Sequence, residues 1–142
     1  PSLKNTLITA YPDMEEMINQ NYSGLFNEIE TLHNEFKGLK EEIKNKEFMI
    51  FHPALTYTAR DYGLIQIPIE HEGKEPSPSQ LRKIIRKGQD IPVIFIQKEF
   101  DVRNASLIAD ETGAEIVQIK PLDYNWIESM NQIKIALKKH LI

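Results

Sequence analysis

Four short apolar runs, each followed by a stretch with helical spacing, leave few folds open to this chain. Strand one reads as Glu47–Phe51, strand two as Leu64–Ile69, strand three as Pro92–Ile96 and strand four as Glu115–Ile119. Each has strand rather than helix length, and the apolar residues are of β-prone type. The third, Pro92-Val93-Ile94-Phe95-Ile96, is continuous, the pattern of a strand buried on both faces. Helices are expected over Ala54–Tyr62, Gln80–Lys87, Val102–Thr112 and about Trp126–Leu141. Their ends carry signals. Pro53 suits a first helical position, where its missing N–H costs nothing, and Gly63 fits a left-handed C-terminal cap. Ser77 and Ser79 around Pro78 start one helix and Gly88 closes it; Asp101 reads as an N-cap, and Gly113 ends the helix that follows. Strands alternating with helices predict a parallel sheet with right-handed crossovers. The fold class is therefore α/β: a three-layer sandwich on a four-stranded parallel sheet.

A helical segment precedes this pattern. Ser2–Tyr11 is amphipathic, with Leu3, Leu7 and Ile8 on one face, and Pro12 interrupts it. Asp13 reads as the next N-cap, with Glu15 and Glu16 well placed in a first turn. From Leu25 through Ile29, Leu32, Phe36, Leu39 and Ile43 the spacing alternates between four and three, a sustained helical stripe. A helix over about residues 14–44 would be roughly 45 Å long. Such a stripe suits either a coiled-coil dimer or a brace between two lobes of one chain. The organisation expected is a helical segment over 1–45 and an α/β lobe over 46–142. The opening Pro1-Ser2-Leu3 falls inside what reads as a helix start, so a fragment of something longer is expected.

Composition narrows the function. The formal net charge is −4, and no stretch combines Lys and Arg with interleaved aromatics, which argues against nucleic acid. The basic residues Lys134, Lys138, Lys139 and His140 fall in the last turns of a helix, where they complement its dipole. With no cysteine, disulfides, thiolate zinc sites and iron–sulfur clusters are excluded. No run is long and apolar enough to span a bilayer. The phosphate-binding, metalloprotease and nucleophile-elbow motifs G-x-G-x-x-G, G-x-x-x-x-G-K, H-E-x-x-H and G-x-S-x-G are all missing. No serine has an evident histidine partner at a strand end, so catalysis is disfavoured.

In an open parallel sheet, ligands sit beyond the carboxyl ends of the strands. There His52 follows strand one, Glu70-His71-Glu72 follow strand two, Glu99 follows strand three, and Lys120 with Asp123 follow strand four. Imidazole and carboxylate on one rim are the donors of a zinc or manganese site. The plain alternatives are a histidine that caps a helix or fills a loop, and a solvated loop around His71.

Phe51-His52-Pro53-Ala54, with Tyr57-Thr58-Ala59-Arg60-Asp61-Tyr62-Gly63-Leu64, resembles the second lobe of a known family. That family is the cluster A-I binding proteins, which carry zinc or manganese for ABC importers. Glu72-Gly73-Lys74-Glu75-Pro76-Ser77-Pro78, Ile94-Phe95-Ile96-Gln97 with Phe100, and Pro121-Leu122 with Trp126 continue the match over nearly the whole chain. The resemblance implies a C-terminal lobe, with the long helix linking it to an N-terminal lobe. It also implies a metal held between the lobes by two histidines of the first lobe and one residue of the second. That second-lobe position is His52; histidine there is typical of zinc-type members, whereas many manganese-type members carry glutamate. Two departures stand out. Lys120 occupies a position that is often acidic and serves as fourth ligand, and Lys98 replaces a common proline beside Glu99.

The expected function is capture of Zn2+, with Mn2+ second, for delivery to an ABC permease in the membrane. No organic small-molecule substrate and no catalysis are expected. His52 is the metal ligand; Asp123, His71 and Glu99 are further candidates to replace the missing acid at Lys120. One imidazole supplies too few ligands, so this lobe alone should bind zinc weakly. The setting implied is periplasmic or otherwise extracytoplasmic, with a signal or lipid anchor in the preceding part. The competing readings are an α/β enzyme domain with His52 as general acid or base, and an interaction module whose long helix pairs with a partner.

Overall fold

The computed structural model describes residues 2–70, 73–100 and 102–142. It divides into two compact units, residues 1–35 and 36–142.

The first unit holds helix α1 (Ser2–Ala10), a 3-10 turn (Pro12–Met14) and the first part of helix α2 (Glu15–Glu42). Tyr11 is pushed out of the helical region by the proline that follows it, with φ −135° and ψ 69°. The helix therefore ends at Ala10, one residue before the expected end, although the Tyr11 amide still donates to the Leu7 carbonyl at 2.8 Å. Asp13 lies inside the 3-10 turn rather than at the N-cap expected for it. Helix α2 is continuous over 28 residues, about 42 Å. It stops two residues short of the expected Lys44, because the amides of Lys44 and Asn45 turn away to the Leu141 carbonyl (3.0 and 3.2 Å).

In the second unit, β1 (Glu47–Ile50), α3 (Thr56–Tyr62), β2 (Ile65–Pro68), α4 (Pro78–Lys87), β3 (Val93–Gln97), α5 (Arg103–Thr112), β4 (Glu115–Ile119) and α6 (Trp126–Leu141) follow in order. The sheet is parallel throughout, in the order β2-β1-β3-β4, as the alternation predicts. Right-handed crossovers place α3 on one face and α4 and α5 on the other. Met49, Ile67, Ile94 and Ile96 face the second layer, clustered with Ile108 and the apolar side of α4. Phe48, Ile50, Val93 and Phe95 are buried on the opposite face, where the rings of Phe48 and Phe95 meet edge to face. Phe36 of α2 stacks on Tyr62 of α3 with ring centroids 4.8 Å apart.

Element ends follow local chemistry where it is strong. Ser77 caps α4 in a full capping box with Gln80, so the helix begins at Pro78, two residues earlier than expected. Gly63 and Gly113 both take left-handed φ values, 69° and 75°. Helix α3 departs from expectation: Pro53 is not its first residue. His52 to Leu55 form a turn in which the Ala54 amide donates to the His52 carbonyl (2.7 Å), and the helix starts only at Thr56. The Leu55 amide is satisfied from outside, by the Gln66 side chain at 3.0 Å. The Asp101 cap lies outside the described residues. Among the described residues no helix is long and apolar enough to cross a membrane.

Candidate metal centre

Strand order places the site. The connection from β1 runs outward to β2, and that from β3 runs the other way to β4, so the order reverses between β1 and β3. In open α/β sheets the crevice beyond the strand ends at such a reversal is where ligands bind. His52 leaves β1 there, and Gln97 ends β3 beside it.

Register then fixes the neighbours of His52. Strands β1 and β2 pair with an offset of 18, from Glu47 opposite Ile65 to Ile50 opposite Pro68. A backbone link continues past the last strand pair, the amide of Ile69 donating to Ile50 (2.8 Å) and that of Glu70 to Phe51 (3.1 Å). It brings Glu70 against His52, and the carboxylate Oε1 contacts the imidazole Nδ1 directly. Across β1 and β3 the offset is 45, and there the Gln97 Nε2 donates to the His52 carbonyl at 3.1 Å. Phe100 stacks on the imidazole, centroids 5.6 Å apart and planes 19° from parallel. The histidine is held on three sides while its side chain remains 47% exposed; that of Glu70 is only 6% exposed.

His52 opens onto a cavity of about 610 Å³ whose walls include Gln97, Glu99, Phe100, Lys120 and Asp123. Three of the sequence-derived candidates, His52, Glu99 and Asp123, thus share one cavity, and Lys120 joins them. The fourth, His71, lies outside the described residues. Asp123 is engaged elsewhere: its Oδ1 accepts from the Asn125 amide (3.0 Å), and its Oδ2 lies 3.9 Å from Lys120 Nζ. Among the described residues, no three His, Asp or Glu side chains come close enough together to hold a metal ion. The Ser129 hydroxyl donates to the Lys120 carbonyl at 2.5 Å and so pins the start of α6.

One residue departs from expectation. Glu70 is not part of a solvated loop; it is buried beneath His52. Its signal was the shared position of Glu70 and His52 at the ends of adjacent strands, legible only once the register is known. A neutral imidazole with carboxylates nearby is a donor set that suits zinc, and hard oxygen-only sites suit manganese better. The residues present fit one corner of a zinc site.

The chain is similar to the high-affinity zinc uptake system protein ZnuA of Bacillus subtilis, 27% identical, with 96% of the chain aligned to 47% of that protein. It is 27% identical to the zinc-binding protein AdcA of Streptococcus pyogenes, over 86% of the chain and 24% of the relative. A crystal structure of ZnuA superposes with a TM-score of 0.92 at 28% identity, covering 99% of this chain and 54% of that one. The chain thus spans about half the length of one curated relative and a quarter of the other. The family model for the zinc-uptake complex component A, periplasmic, matches residues 2–139, and the chain belongs to that ZnuA family.

Proposed function

We propose that this chain is the C-terminal lobe of a two-lobed extracytoplasmic protein that captures Zn2+ and hands it to an ABC importer permease without catalysing a reaction. The observation that carries this reading is the single half-exposed imidazole of His52, held at the strand-order reversal and open to a cavity. A structural zinc site takes four protein ligands and an open one at least three. A lobe whose described residues gather no three such ligands fits a site completed on a second body. Family membership supports zinc as the cargo and an extracytoplasmic setting, and the relatives' greater length leaves room for a first lobe.

Lys120 cannot ligate while protonated, so the fourth position falls to water or to one of Asp123, Glu99 and His71. Zinc is favoured over manganese because the donor at position 52 is imidazole nitrogen rather than carboxylate oxygen. Capture and release suit a site completed from two bodies.

The test is zinc competition titration of this chain and of the complete two-lobed protein. The complete protein is expected to bind orders of magnitude more tightly, because affinity follows ligand number and geometry. Equal affinities would overturn the division of the site between lobes.

A further inference from the structure

We propose that Glu70 is the positioning residue for His52. Its carboxylate accepts the Nδ1–H and fixes the neutral ring in the tautomer whose lone pair is on Nε2. This rests on His52 being the zinc ligand, as read above.

A neutral imidazole has one donor and one acceptor nitrogen, and the bond made by one sets the state of the other. An ionised carboxylate can only accept. The nitrogen that touches Glu70, Nδ1, must therefore be the donor. Nε2 is left as the nitrogen able to bind a metal.

Three features make this a built arrangement. Backbone bonds from Ile69 to Ile50 (2.8 Å) and from Glu70 to Phe51 (3.1 Å) tie the segments that leave β1 and β2 together just before the His52–Glu70 pair. The Glu70 side chain is 6% exposed, and taking a carboxylate out of water costs free energy unless it is hydrogen-bonded. The ring is also fixed in its plane by Phe100, and its backbone by Gln97. Metal-ligating histidines commonly give their second N–H to a carboxylate, which sets orientation and strengthens the other nitrogen as a ligand. Zinc, a dication, also gains a buried negative charge behind its ligand.

The test uses this chain free of zinc, about two pH units above the ordinary histidine value of about 6.5. Two-bond 1H–15N spectra then report which ring nitrogen of His52 carries the proton. The expected result is the proton on Nδ1 in the wild type, while Glu70→Gln, whose amide can accept or donate, should hold it there less completely. Glu70→Leu should move it toward Nε2, with the backbone spectrum showing the fold intact. Zinc added to the complete two-lobed protein should shift Nε2, with affinity reduced about 10–100-fold in Glu70→Leu. A wild-type proton on Nε2, or a Glu70→Leu variant with the wild-type tautomer and affinity, overturns the role of Glu70 and leaves His52 as ligand. In the complete two-lobed protein, zinc that never moves the His52 Nε2 overturns both. The wild-type spectrum tests the tautomer even if Glu70→Leu does not fold.

Discussion

His52 is the residue at which β1 leaves the sheet, and its position at a strand end could be read from the apolar run before it. Its partner could not. Glu70 lies 18 residues away, and whether it meets His52 or solvent depends on the β1–β2 register, which no local signal specifies. Gln97 was hidden in the same way, behind an offset of 45. Outside the site, side-chain pairing makes its own statement about pH. The Glu115 carboxyl is held below its ordinary value, chiefly by hydrogen bonds from Lys139, whose Nζ lies 2.8 Å from both oxygens; partial desolvation opposes this. A carboxyl with a lowered native value stabilises the fold above its unfolded value of about 4.3 and loses that contribution as pH falls through the native one. The pair is exposed, so the effect is small. Urea unfolding of Glu115→Gln should show a slight deficit against wild type near neutral pH that disappears by about pH 2. A deficit equal at both pH values would contradict the pairing.

Elements were legible where their ends are decided by neighbours in sequence. The Ser77 cap of α4, though it starts the helix two residues before the expected Gln80, and the glycine ends of α3 and α5 follow from such signals. Helix α3 begins late for a tertiary reason: the Leu55 amide is taken by Gln66 from β2, and Pro53 is left in the turn that carries His52. Likewise α2 gives up its last amides to the Leu141 carbonyl of α6. The capping box at α4 is testable in isolation. Ser77→Ala removes the acceptor for the Gln80 amide and should cost about 1 kcal/mol in chemical denaturation. Since α4 leans on Met49 and Ile94 through the core rather than through the site, zinc binding should be unchanged. No measurable loss of stability would mean that Pro78 alone sets the helix start.

At the scale of the molecule, the alternation of strands and helices predicts a parallel α/β sheet, and the strand order marks the crevice between β1 and β3 as the candidate site. The stripe on α2 was legible as a helix, but its burial was not uniform. Phe36, Leu39 and Ile43 are buried, whereas Leu25 and Ile29 remain nearly half exposed. Periodicity reports a face, not what covers it. Function was legible only through His52 and the motifs around it, because among the described residues no three His, Asp or Glu side chains gather into a ligand set. The central claim is that this chain contributes one zinc ligand, His52, to such a site. Its most direct test is competition titration of the complete protein with zinc, comparing wild type and His52→Ala. The expected result is a loss of affinity of about a hundredfold or more, above the 10–100-fold typical when only a ligand's supporting partner is removed. Unchanged affinity in the variant would contradict the account.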